Sequence, residues 1–285
     1  MRIRYRISGA PPGGHAHDIE ISFPFTPPIG VNLPPNSSQF VLHKTRGIVI
    51  RVVKYGETSV IVSIYTELFG IQSYIVNGVR GSSKKGSSVA NVFQPAAILD
   101  LIVYHNDLKN IQRLKEFKWA HLYQSLFFDV IKNSVALYMI ELLQKSLKQP
   151  EPNPDLFHFL EDSFLHLDTS EDSVVANFPL FFALHLSAFY GFRVSDAYSS
   201  KNNVLDLREG EFTPEQPAHP YFLEGNYSFI TSQLLKVMQP HELKQIRLNK
   251  ETRRILLNAY GTFYALHVQD FGHMKTLPVL QEVLG

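Results

Sequence analysis

Between His43 and Trp119 the chain carries five short runs rich in β-branched and aromatic residues, and past Trp119 the apolar pattern changes to a helical period. The runs are Arg46 to Val53, Ser59 to Thr66, Ile71 to Val79, Val92 to Tyr104 and Asn110 to Phe117. Tyr55-Gly56-Glu57 and Glu67-Leu68-Phe69-Gly70 supply tight turns between the first three, and His105-Asn106-Asp107 turns between the last two. A long loop joins the third to the fourth, whose Gln94-Pro95 predicts an edge start or a bend. Strands of this length, with tight connections early and one long loop, suit a small closed barrel. The fold class is therefore α+β: a five-stranded barrel over 41–118, then a helical region over 119–285.

The long loop reads Arg80-Gly81-Ser82-Ser83-Lys84-Lys85-Gly86-Ser87-Ser88, with three fixed positive charges and no large apolar side chain. Gly81-x-x-x-x-Gly86-Ser87-Ser88 approaches a nucleotide phosphate loop, but a serine stands where the lysine is required and no strong helix start follows. As a DNA contact the loop makes sense, since Arg80, Lys84 and Lys85 can each reach a phosphate and release counterions without reading sequence. The alternative is a solvated loop whose lysines only aid solubility. Around it lie Lys44, Arg46, Arg51, Lys54, Lys109, Arg113, Lys115 and Lys118, interleaved with Tyr55, Tyr65, Phe69, Tyr74, Phe93 and Tyr104. Single strands are held by such combinations, cations along the backbone and aromatic faces under the bases. In a barrel this small most aromatics fill the interior, so Tyr55, in a turn, is a better base platform than Phe93. The candidate DNA-binding set is Lys44, Arg46, Arg51, Lys54, Tyr55, Arg80, Lys84, Lys85, Lys109 and Arg113.

Charge is distributed unevenly under a formal net charge of +1. Residues 41–118 hold 11 Lys and Arg against 5 Asp and Glu, whereas residues 119–285 hold 13 against 19. A basic front and an acidic back fit one half that meets a polyanion and another that meets something else. A second reading is a non-enzymatic adaptor whose basic barrel binds an acidic protein.

Residues 1–40 contain Pro11-Pro12, Gly13-Gly14, Pro24, Pro27-Pro28 and Pro34-Pro35, and are expected to be mostly disordered apart from a strand-like piece at Asp18 to Phe25. Val41-Leu42-His43-Lys44 reads like a natural start, so this extension is expected to precede the native protein. Mass spectrometry of the protein from its source would decide it, because peptides from residues 1–40 are incompatible with that start.

Helices are expected over Ala120–Leu147, Asp155–Leu167, Asn177–Tyr190, Ser228–Met238, Asn249–Gln269 and Thr276–Leu284. Residues 192–227 read as an irregular excursion in which Val204–Leu207 and Gly210–Thr213 pair as a hairpin across Arg208-Glu209. Phe181, Phe182, Phe189, Tyr190, Phe192, Tyr260, Phe263 and Tyr264 either form core or line a groove for a partner peptide.

Enzyme signatures are scarce. There is no cysteine, which excludes a thiol nucleophile and thiolate metal sites, and no Gly-x-Ser-x-Gly elbow. His15-x-His17 falls in the doubtful extension, and His267 and His273 are spaced too far apart to share one helical face. In the barrel Glu57, Glu67, Asp100, Asp107 and Glu116 are each isolated, unlike the clustered acids of a two-metal nuclease. Glu161-Asp162 and Glu171-Asp172 read as solvated caps, and Asn36-x-Ser38 and Asn226-x-Ser228 match glycosylation acceptors only if the chain is exported. No apolar run approaches the length of a membrane span and no signal core follows the N-terminus, which points to the cytoplasm.

Several motifs, in order and spacing, resemble the RecO family of bacterial recombination mediators. They are Thr45-Arg46-Gly47-Ile48-Val49-Ile50, Tyr55-Gly56-Glu57-Thr58-Ser59, Phe69-Gly70-Ile71 and Asn77-Gly78-Val79-Arg80. Lys275-Thr276-Leu277-Pro278-Val279-Leu280 is similar to the family's closing segment, so the resemblance covers roughly 41–285. It implies an OB-fold that binds single- and double-stranded DNA, a helical C-terminal domain, and strand annealing without a nucleotide cofactor. It also implies work with RecR and with the C-terminal tail of single-stranded DNA-binding protein, helping RecA load at gaps and breaks, in a cytoplasmic, nucleoid-associated setting. Many relatives carry a four-cysteine zinc site in the stretch matching 192–227; without cysteine, no zinc is expected here.

Overall fold

The computed structural model describes residues 41–79, 91–147 and 151–284. The N-terminal extension, with its strand-like piece, and the basic loop lie outside the described residues. Five strands close into a barrel in the order β1-β2-β3-β5-β4: β1 Val41–Tyr55, β2 Ser59–Thr66, β3 Gly70–Val76, β4 Ile98–His105 and β5 Ile111–Trp119. All neighbours are antiparallel except β3 and β5, and β1 closes the barrel by pairing with β4 through its first half and β2 through its second. This is the OB-fold strand order.

The strand ends follow local chemistry. Gly78, at φ +72, stops β3 three residues before the sequence pattern does. The expected fourth run starts late, because Ala96 takes the left-handed conformation at φ 72 after Pro95 and exchanges backbone hydrogen bonds with Val49 across Ala96–Ala97. That exchange sits where β1 bulges between Val49 and Arg51.

Inside, Val49, Val60, Val62, Ile64, Tyr74, Leu99, Leu101 and Val103 form the barrel core. Gly47 lies where β1 presses on that core. A Cβ there would stand 2.5 Å from the Ile64 Cγ2 and 2.8 Å from the Leu101 Cδ1. Gly47→Ala is therefore expected to cost about 2 kcal/mol through overpacking, read as a lower urea midpoint at unchanged slope.

The helical region comprises α1 Val130–Ser146, α2 Pro154–Thr169, α3 Asp172–Val175, α4 Phe178–Ser187, α5 Gly225–Lys236, α6 Lys250–His267 and α7 Thr276–Val283. The first helix expected from the sequence begins ten residues too early. Asp129 is the true N-cap, accepting from the N–H groups of Ile131 and Lys132. Upstream of it, Asp168 near the end of α2 takes the N–H groups of Gln124 (2.8 Å), Ser125 (2.8 Å) and Leu126 (2.7 Å). Those groups are thereby diverted from helix, and the connector is pinned to α2 instead. Lys132 completes the clamp, donating to the Asp168 carbonyl and to the Ser125 hydroxyl.

In the excursion the expected hairpin forms, Val204–Asp206 (β6) against Glu211–Thr213 (β7), and Phe222–Leu223 (β8) adds a third strand on the other side of β6. The Asp206 carboxylate closes the turn by accepting from the N–H groups of Arg208 and Glu209, and it pairs with His219 at 3.3 Å. Phe181, Phe182, Tyr260, Phe263 and Tyr264 are buried core, with Phe189, Tyr190 and Phe192 partly buried against them.

The barrel and the helices share that core. Ile48, Ile50, Tyr65, Ala96 and Ile98, all of barrel segments, belong to the same apolar cluster as α1, α2, α4 and α6. Polar contacts follow the seam. The Tyr123 hydroxyl donates to the Ala96 carbonyl (2.8 Å), and the Gln144 amide to that of Ile50 (3.1 Å).

Candidate nucleic-acid interface

Successive side chains of a strand point to opposite faces, so the register shows which residues share the outside of the barrel. Val53 stands opposite Ile61, Ile61 opposite Ile75, Ile75 opposite Arg113, Arg113 opposite Tyr104, and Tyr104 opposite Leu42. One row thus crosses all five strands. Two residues along, Arg51, Ser63, Ser73 and Ile111 make a parallel row, and Tyr55 with Ser59 starts a third at the end of β1. Neither the helices nor a neighbouring strand covers this area fully: Tyr55 is 52% exposed, Ile111 43% and Val53 42%. These rows contain no carboxylate. Outward rows of guanidinium, apolar and tyrosyl groups, with exposed Glu57 in the turn that joins Tyr55 to Ser59, suit a strand whose phosphates pair with cations and whose bases lie on apolar faces.

The expected contact residues divide between this surface and others. Arg51, Tyr55 and Arg113 lie in the rows. Lys54 stands opposite Val60, whose side chain is in the barrel core, so its exposed side chain sits at the barrel rim beside them. Lys109 is exposed in the turn between β4 and β5. Its carbonyl accepts from the Gln112 amide and its N–H donates to the Asn106 carbonyl, which fixes the turn. Lys44 is exposed but in a different row, opposite Ile102, which in turn faces Glu116. Arg80, Lys84 and Lys85 lie outside the described residues. Lys118 and Lys115 pair with Asp100 (3.4 Å) and Glu116 (4.0 Å) on the same acid-bearing side.

Arg46 has another task. Its Nη1 donates to both oxygens of Glu161 on α2 at 2.7 Å, its Nε reaches Glu67 at 3.4 Å, and its guanidinium lies 5.6 Å from the Phe157 ring centre. The guanidinium is held by carboxylates at the seam between barrel and helices, which already neutralise its charge. Burial pushes the Glu161 carboxyl above its ordinary range, with Arg46 opposing the shift. Arg46→Ala is expected to cost about 2 kcal/mol by leaving Glu161 without its partner. DNA affinity should change less than about twofold, since no phosphate contact is lost. Parallel urea melts and anisotropy titrations check both halves of this expectation.

Among the aromatics, Tyr65, Tyr74 and Phe93 are buried. Burial raises the Tyr65 hydroxyl to about 12, despite its hydrogen bond to the Asn153 carbonyl. Phe69 stacks on His105 at 3.9 Å with His43 in a T-shaped contact at 5.1 Å, so one of its ring faces is taken. The outward apolar residues Val53, Ile61, Ile75 and Ile111 were not anticipated from the sequence. Their signal is that Ser59–Thr66 is apolar on both parities, where a strand with one solvated face alternates. Among the described residues, no group of three or more His, Asp or Glu side chains is placed to hold a metal ion, and no helix is long and apolar enough to cross a membrane.

Comparison with known proteins identifies the family. The family model described as Recombination protein O N terminal matches residues 40–123, and the one described as Recombination protein O C terminal matches residues 128–277. DNA repair protein RecO of Christiangramia forsetii is 32% identical over 245 residues, covering 86% of this chain and 100% of that protein. The corresponding protein of Bacteroides fragilis is 33% identical over 245 residues, covering 85% and 99%. That of Flavobacterium psychrophilum is 31% identical over 242 residues, also covering 85% and 99%. With both halves matched and the barrel built in the expected strand order, the chain belongs to the RecO family of DNA repair and recombination proteins.

Proposed function

We propose that this protein binds single- and double-stranded DNA on the outward rows of its barrel and anneals complementary strands. Two strands brought together repel through their phosphates, and cations shared between them lower that repulsion so that base pairing proceeds. No covalent step and no nucleotide cofactor is involved, and the protein is not an enzyme. In the cell it acts in the cytoplasm at the nucleoid, with RecR and the C-terminal tail of single-stranded DNA-binding protein, helping RecA load on gapped or broken DNA. The observation that carries the DNA reading is the register of Arg51, Arg113, Tyr55 and the apolar residues between them in outward rows without a carboxylate. The basic loop, through Arg80, Lys84 and Lys85, would add further phosphate contacts.

The test is an annealing assay with purified protein and complementary oligonucleotides, with and without ATP. Acceleration independent of nucleotide is expected. No acceleration at low salt, or a strict need for ATP, overturns the proposal.

A further inference from the structure

A cleft of about 750 Å³ opens between the outside of the barrel and the helices. Arg51, Ser63 and Ile71 line it from the barrel, Leu137 and Lys145 from α1, and Lys275 from the start of α7. Three cations therefore face one carboxylate, that of Glu141. That carboxylate is already saturated. It accepts from the N–H of Lys275 (2.8 Å) and from the N–H and hydroxyl of Thr276 (2.7 Å each). Burial alone would push its carboxyl up, but these donors and Lys145 outweigh burial and hold it below the ordinary glutamate range. Its charge is spent on the start of α7, whose N–H groups are thereby taken and are no part of the site.

The cations are less committed. Lys145 gives one of its three protons to the Phe271 carbonyl (2.8 Å), leaving two. Arg51 and Lys275 form no ion pair with any described carboxylate. The cleft is also continuous with the barrel face. Arg51 and Ser63, opposite one another on β1 and β2, belong both to the second outward row and to the cleft wall.

We infer that the cleft is a second phosphodiester site, in which a single strand leaving the barrel face over Arg51 places its next phosphates against Lys145 and Lys275. The inference rests on the DNA-binding reading above and extends it from the barrel to the helices. Ile71 and Leu137 offer apolar cover to the sugars between those phosphates. An acidic peptide would use the same lysines, but the shared wall with the outward rows favours a chain that spans both surfaces.

The test is an anisotropy titration of the full chain with oligothymidylates of about 8 and about 30 nucleotides, the shorter matching what an OB-fold alone covers. Lys275→Glu is expected to weaken the longer strand about tenfold, to lower its salt slope by about 0.7, and to leave the shorter strand nearly unchanged. Lys145→Gln should act in the same direction, and matching thermal melts for both variants show that the fold is intact. Equal loss at both lengths, or no loss at either, overturns the inference while leaving barrel binding in place. If even the short strand fails to bind the unmodified protein, the underlying DNA reading fails instead. A polyglutamate peptide that binds the unmodified protein but not Lys275→Glu, with the long strand unaffected by that change, assigns the cleft to an acidic protein segment and also overturns the inference.

Discussion

Reversing both Arg51 and Arg113 to glutamate should weaken single-stranded DNA binding about 100-fold at moderate salt and cut the salt slope by about 1.4, two phosphates' worth. The reasoning is geometric. Both guanidinium groups lie on the outward rows, at opposite ends of a stretch whose intervening side chains are serine, isoleucine and valine. No nearby acid on those rows shares their charge, so each reversal removes a favourable contact and adds a repulsive one. Both side chains are exposed, and the change should leave thermal stability within about 0.5 kcal/mol. Anisotropy titrations at three or more salt concentrations read affinity and slope together. If both stay put while the fold is intact, the rows are not the DNA contact.

Replacing Asp168 by alanine is expected to be the most damaging single change to stability, at about 3 kcal/mol near neutral pH. One carboxylate, in a residue 2% exposed, satisfies three backbone N–H groups of the connector between barrel and helices. Removing it leaves those donors poorly solvated and frees the segment that leads into α1. The pH dependence carries a sign that can be checked. Burial alone would raise the Asp168 carboxyl, but the three N–H groups outweigh it and hold the pKa below the ordinary aspartate value. A depressed folded pKa means the stabilisation is fully present above the unfolded value of about 3.9 and is lost as pH falls through the lower, folded one. Urea melts of the native protein and Asp168→Ala should therefore differ most near neutrality and converge toward acid pH below about 4. A gap that stays constant down to acid pH means the carboxylate is not the source.

The barrel was legible because its signals are local: β-branched runs, turn glycines and their spacing fix five strands with few alternatives. What lay beyond local reading was where each strand's second face would go. Ile48, Ile50 and Tyr65 look like ordinary barrel residues in the sequence, yet they pack under helices nearly a hundred residues away. Arg46 shows the same limit. A cation in a basic strand reads as a DNA contact until the fold brings Glu161 to it, across 115 residues of chain. The start of α1 was misplaced for a related reason. The apolar period continues back through Leu126 and Leu122, and it is the distant Asp168 that takes the N–H groups of Gln124, Ser125 and Leu126 out of helix. Of the proposed contacts, Arg51, Tyr55 and Arg113 could be nominated by residue type. Their alignment with each other depended on a bulge in β1 and a parallel β3–β5 pair, which no local pattern announces.

The seam on which Ile48, Ile50, Tyr65 and Ile98 pack against the helices binds the two halves into a single energetic fate. Neither can open without stripping oily cover from the other. An oligonucleotide gripping only the β-face would consequently slow amide exchange in helices it never touches.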